Sequence, residues 1–220
     1  MKVMITGGHT EVPIDKVRSV TNIFKGRTAL SLAAAALLKG HDVTLVGNLH
    51  MVDERLLDAD RLRFEPFRTF DELENLMKKE VQEGAYDCII HSAAVSDYYV
   101  SRVLDKNLEP INNAGKVGSN YTTMYLEMKQ TRKIIDEIRA WGFKNTLVKF
   151  KLQVGISDEE LLVIARKSRW TSNADLIVAN CLEWAKDKAY IVGDGIELCV
   201  SRSALPTTLF NEIASVRGSR

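Results

Sequence analysis

This 220-residue chain has almost no net charge: 30 Lys and Arg against 29 Asp and Glu leave +1. That balance gives no electrostatic argument for nucleic acid or an anionic membrane as partner, although a local basic cluster can still hold a small anion. Cysteine is scarce. Cys88, Cys181 and Cys199 are odd in number, and no pair has metal-ligand spacing. Cys88 and Cys199 sit in apolar strand-like runs and are expected in the core. Reduced thiols point to a cytoplasmic compartment. No run approaches the roughly 20 apolar residues of a membrane span, and the apolar start, cut short by Thr6-Gly7-Gly8, is too short a run to be expected of a signal peptide. Four scattered histidines without paired Cys or acidic neighbours argue against a zinc site. No G-x-G-x-x-G opens a helix, and there is no Walker loop, serine nucleophile elbow or internal repeat.

What is present alternates. Residues 2–6 read as a buried strand, 27–39 as an Ala-rich helix ended by Gly40, and 42–46 as a second strand, which together make a βαβ unit. The alternation continues with helices at 70–83, 131–141 and 158–168 and strands at 87–91, 147–152 and 176–179. Residues 189–192 and 197–200 flank Gly193-Asp194-Gly195, a hairpin signal, and a last helix covers 207–216. This pattern predicts an α/β fold with a Rossmann-like doubly wound, mostly parallel sheet and an antiparallel hairpin near the C-terminus. Between Tyr98 and Lys129 the periodicity weakens, which predicts an irregular insertion with a short strand at 124–128.

In such a sheet, ligands bind beyond the carboxyl ends of the strands. Three loops lie there. Thr6-Gly7-Gly8-His9-Thr10 offers backbone N–H groups to a phosphate, or is simply a tight turn. Asn22 to Arg27 places Lys25 and Arg27 at a helix start, where they bind an anion or are a solvated cap. His91 to Tyr98 offers small residues against which a ligand can lie, and Asp97 as acceptor, metal partner or helix cap. His91 itself reads as a satisfied buried imidazole, and His9 as a contact residue.

Together these loops resemble the phosphopantothenoylcysteine synthetases. The run from Ile5 to Asn22 is similar to that family's I-T-x-G-x-T-x-x-x-I-D-x-V-R-x-[IV]-[ST]-N, and Ala93-Ala94-Val95-Ser96-Asp97-Tyr98 to its A-A-V-[AS]-D-[YF]. Phe150-Lys151-Leu152 looks like the F-K-L of standalone forms, and Ala174-Asp175-Leu176-Ile177-Val178-Ala179-Asn180 like its late strand. The resemblance spans nearly the whole chain. It implies one Rossmann-like ligase domain over residues 1–220, with a flexible flap and dimerisation insertion at about 99–130.

The implied reaction joins 4′-phosphopantothenate to L-cysteine. CTP or ATP, with Mg²⁺, first activates the carboxylate as an acyl-nucleotide. Asn22 and Lys116 are the implied catalytic residues: an amide at the acyl carbonyl and a flap ammonium at the phosphates. Gly8, Ala93, Asp97, Lys133, Phe150 and Lys167 are implied at the nucleotide, and Thr10, Arg18, Gly26 and Arg27 at the substrate. Which residues hold the metal is left open. A homodimer with small-molecule substrates, and no nucleic acid or membrane partner, is expected. Thr171, Lys25, Ala29, Cys181 and Val12 depart from the family pattern near ligand-facing positions. They leave open CTP against ATP and a related ligase acting on another acid. A dinucleotide oxidoreductase is disfavoured by the missing fingerprint.

Overall fold

Strand β1 (Lys2–Thr6) explains the layering, because both its faces are apolar: Val3, Met4 and Ile5 are all fully buried. A strand buried on both sides needs helices on both faces of its sheet. The computed structural model describes residues 1–51 and 59–218, and among these the main sheet has eight strands. They are β1, β4 (Asp42–Gly47), β5 (Leu62–Pro66), β6 (Cys88–His91), β10 (Thr146–Gln153), β11 (Leu176–Cys181), β12 (Lys188–Val192) and β13 (Glu197–Ser201). Their order is β13-β12-β11-β10-β6-β1-β4-β5. From β5 to β11 every pairing is parallel, whereas β12 and β13 add antiparallel. The chain crosses over between β1 and β6, the point where a doubly wound sheet opens a crevice.

On one face Val3, Ile5, Leu45, Ile90, Val148 and Val178 pack under α1 (Arg27–Leu38) and α5 (Leu205–Gly218). On the other, Met4, Ile89 and Leu147 meet α2 (Phe70–Glu83) and the short α3 (Ile134–Glu137). Helix α4 (Asp158–Thr171) covers Ile177 and Ala179 on that second face. Capping boxes start two helices, Thr69 with Glu72 on α2 and Ser157 with Glu160 on α4, and acidic residues fill both first turns. No helix among the described residues is long and apolar enough to cross a membrane.

Several elements differ from the sequence reading. The loop after β1 contains a two-stranded ribbon, β2 (Glu11–Pro13) with β3 (Ser19–Thr21). The segment read as irregular carries an antiparallel sheet, β8-β7-β9, from β7 (Tyr98–Leu104), β8 (Pro110–Ile111) and β9 (Tyr125–Gln130). Its period was hidden because register shifts between Val100 and Arg102, and because Tyr98, Tyr99 and Tyr125 are exposed aromatics. The helix expected at 131–141 shrinks to α3 and irregular turns. Thr131 donates from its backbone to the Asp97 carbonyl and from its hydroxyl to the Ser96 carbonyl, and Lys133 is extended. Cys199 is exposed rather than core, because β13 is the sheet's edge.

Candidate active site

The loops after β1 and β6 are stitched together at the crossover. Thr6 Oγ1 accepts from the Ala93 N–H at 3.2 Å and contacts His91 Nδ1 at 2.9 Å. Ala94 N–H donates to the Gly8 carbonyl, and Thr10 N–H returns a bond to the Ala94 carbonyl. Thr10 Oγ1 takes the Ser96 N–H at 2.8 Å. Burial and the nearby Lys149 push the His91 imidazole down to about 4, so it stays neutral near pH 7.

Gly8 has φ 77°, and a β-carbon there would lie 2.0 Å from Asn48 Oδ1. That oxygen is already engaged: it accepts the His9 N–H, while Asn48 Nδ2 reaches the carbonyls of His9 and Phe67. His9 is buried and its ring meets the Phe24 carbonyl at 2.7 Å, so it braces the second loop. Gly26, with φ 74°, begins α1 without any side-chain cap, and the first turn carries no acidic residue. Its leading N–H groups are therefore open to an anion. Ala29, one of the departures from the family pattern, packs against Gly7: a β-carbon on Gly7 would sit 2.2 Å from its own.

Between these loops opens a cavity of about 960 Å³, ample for a nucleotide with a second substrate. Asn22, Gly8, Gly26, Arg27, Ala93, Asp97, Lys133 and Phe150 all line it, so eight of the twelve implied site residues converge on one space. Asn22 Nδ2 donates to the Ala94 carbonyl at 3.1 Å, which orients the amide and leaves a second N–H free to donate. Lys133 Nζ stands 3.9 Å from Asp97.

Four implied residues lie elsewhere. Thr10 is fully buried as the loop stitch just described. Arg18 is committed to Asp15 through Nε and Nη2 and donates to the Val117 carbonyl. Lys116 is exposed on a segment docked against the β2–β3 turn, where Lys16 N–H meets the Gly115 carbonyl. Lys167 is exposed on α4, one residue from Ser168, which does line the cavity.

Other charges were not foreseen. Arg132, Lys149, Lys151, Lys186 and Arg202 join Lys25, Arg27 and Lys133 around the cavity, against Asp97 as the single lining carboxylate among the described residues. A chain of net charge +1 thus gathers eight cations on one hollow. Arg132 is paired with Glu74, whereas Arg202 donates to Thr28 Oγ1 in the first turn of α1 and has no carboxylate partner among the described ion pairs. Burial lowers the Arg202 pKa. The signal for Lys149 and Lys151 was in the sequence: two charges inside the strand Leu-Val-Lys-Phe-Lys-Leu, residues 147–152, need a reason to be there.

A family model, the DNA/pantothenate metabolism flavoprotein C-terminal domain, matches residues 1–200. The coenzyme A biosynthesis bifunctional protein CoaBC of Thermococcus kodakarensis is 31% identical over 182 residues, covering 83% of this chain and 41% of that protein. This chain thus spans about two fifths of such a relative's length. The crystal structure of the DNA/pantothenate metabolism flavoprotein from Streptococcus pneumoniae superposes with a TM-score of 0.87 at 28% identity, over 98% of this chain and 99% of that one. The C-terminal domain of a CoaBC protein shares the fold at a TM-score of 0.75 and 19% identity, over 100% and 96% of the two chains. With both the β1 and β6 loops in place and a family model covering all but the last twenty residues, the chain belongs to the DNA/pantothenate metabolism flavoprotein C-terminal domain family, the phosphopantothenoylcysteine synthetases that its motifs resemble.

Proposed function

We propose that this chain is a ligase that activates 4′-phosphopantothenate with a nucleoside triphosphate and joins it to L-cysteine. The observation that carries this reading is the cationic cavity at the crossover, with Asn22 and Asp97 on its wall. A triphosphate and a phosphorylated acid are both polyanions. A hollow whose described lining holds eight cations and one carboxylate lowers the cost of bringing them together.

In the first step a carboxylate oxygen of the acid attacks the α-phosphorus, and pyrophosphate leaves. In the second the cysteine amine attacks the acyl carbon, and the nucleoside monophosphate leaves with the bridging oxygen. The free Asn22 N–H supports the carbonyl oxygen as it gains charge. The open N-terminus of α1, with Arg27, suits the acid's phosphate. Asp97 and Phe150 suit the ribose and base. Magnesium enters with the triphosphate as part of the substrate. Among the described residues Asp97 is the one lining carboxylate, and there is no cluster of three or more His, Cys, Asp or Glu side chains that could hold a metal ion. Lys116 does not line the cavity, and its segment is bonded to the β2–β3 turn, so its role at the phosphates is left to the Lys116→Gln variant.

Exposed Tyr98, Tyr99, Tyr125 and Met128 on β7 and β9 support the homodimer reading, which light scattering of the purified chain tests by mass. The reaction is tested by pyrophosphate release with CTP and with ATP across a panel of carboxylic acids, with mass spectrometry of the product. Release that requires 4′-phosphopantothenate, and an amide product that requires cysteine, support the reading. Release with a different acid replaces the substrate, and no release with any acid removes the ligase.

A further inference from the structure

The resemblance places a phosphate-facing lysine on α4, at Lys167, but that side chain is exposed and outside the cavity lining. A different lysine reaches the same helix from below. Lys149 sits in mid-strand on β10, in register with His91 of β6, and is only 7% exposed. Its Nζ donates to the Ser168 carbonyl at 3.0 Å and to Ser172 Oγ, both at the last turn of α4 or just beyond it. Ser172 Oγ in turn donates to Asp136 of α3. Lys149 and Ser168 both line the cavity.

No carboxylate is ion-paired with Lys149 among the described residues. The groups that face it are few. His91 comes from β6, Asp136 and Lys133 from α3, Lys151 from its own strand, and neutral Ser168 and Ser172 from α4. Asp136 favours the charged form, while Lys133 and Lys151 oppose it. A buried amine with two cationic neighbours and no direct counter-ion lacks one thing, an anion in the cavity beside it.

We propose that Lys149 is the triphosphate-binding lysine on the α4 side of this cavity, and that its amine takes a proton from solvent when the polyanion binds. This rests on the nucleotide-dependent ligase reading above and assigns a further residue to it. In the empty protein, burial pulls Lys149 down to about 8. A bound polyanion raises it again. Affinity for the triphosphate is then greatest below that value and falls as pH rises through it. With the empty-state value at about 8, the unprotonated fraction rises from about one tenth at pH 7 to about nine tenths at pH 9, so affinity falls about tenfold between them.

The test is calorimetric titration of the purified chain with CTP and with ATP, each with MgCl₂, in Tris and in HEPES at pH 8.5. The dependence of the measured heat on buffer ionisation gives the protons taken up. Wild type is expected to take up about half a proton or more per triphosphate, and its Kd to rise about tenfold from pH 7 to pH 9. Lys149→Met is expected to take up close to none and to lose the pH dependence. Lys149→Arg, always charged, is expected to lose the uptake yet keep tight binding at pH 9, a rescue that a merely structural lysine would not give. Wild type that binds triphosphate without proton uptake overturns the proposal and leaves the ligase reading standing; so does equal uptake in wild type and a folded Lys149→Met. Wild type that binds neither CTP nor ATP overturns both.

Discussion

Asp15 and Val117 lie 102 positions apart in sequence, yet the Val117 N–H donates to Asp15 Oδ2 at 3.0 Å. The same carboxylate, buried, accepts from the backbones of Val17 and Arg18 and from the Arg18 guanidinium. These donors, the Arg18 side chain foremost, hold it well below the usual carboxylate range. Asp15 therefore fastens the segment bearing Lys116 to the β2–β3 turn. Asp15→Asn keeps the shape but removes the charge and one acceptor. Amide exchange at Val117 should quicken, on the order of tenfold, while β1 and β6 amides stay protected. Unchanged exchange at Val117 would show that Asp15 is not the fastening.

His91 sets an acid limit on stability. Its folded value is depressed to about 4 from the ordinary 6.5, with burial the larger cause and Lys149 the smaller. Between these values the unfolded chain binds a proton that the native one refuses. Stability is therefore intact above about pH 6.5 and falls as pH drops toward 4, by about 3 kcal/mol over that window. Urea unfolding at stepped pH should show this slope in wild type and a shallower one in His91→Asn. Identical slopes would remove His91 from the account.

Gly8 has no room to change. Its φ of 77° is left-handed, and a β-carbon would strike the Asn48 amide that holds His9 and Phe67. Gly8→Ala should cost at least about 1–3 kcal/mol and disturb the loop that faces the cavity. Gly155→Ala has a similar φ of 68° but nothing within 4 Å of the added carbon, so it should cost less. A melting comparison of the two checks steric fit against backbone strain alone.

Asn22→Asp puts a carboxylate where the Ala94 carbonyl now accepts a hydrogen bond and where the acyl oxygen gains charge. Turnover should fall on the order of a hundredfold or more while circular dichroism stays that of wild type. A variant with full turnover would take Asn22 out of the chemistry.

The parallel sheet was legible because apolar runs such as Val3 to Ile5 and Leu176 to Ala179 are buried on both faces and leave no alternative. The β7–β9 sheet was hidden by a register shift and by exposed tyrosines that erase the two-residue alternation. At the site, local motifs carried Asn22, Ala93 and Asp97 to one cavity, because each lies on a loop directly after its strand or before α1. Arg18 and Lys116 were out of reach of such reasoning. Arg18 pairs with Asp15 only three positions away, but its bond to the Val117 carbonyl and the Val117 N–H bond that docks the Lys116 segment on Asp15 each span about a hundred residues, which local motifs do not show. Lys149 and Arg202 belong to no recognised motif, and only the packing of α4 and α1 reveals what they meet.

The ligase reading stands most directly on the path of one oxygen atom. 4′-Phosphopantothenate labelled with ¹⁸O in its carboxylate, turned over with triphosphate and cysteine, should deliver one labelled oxygen to the nucleoside monophosphate, because that oxygen bridges acyl carbon and α-phosphorus. Label appearing instead in inorganic phosphate would mean an acyl phosphate, and turnover that leaves the monophosphate unlabelled would contradict activation through an acyl-nucleotide altogether.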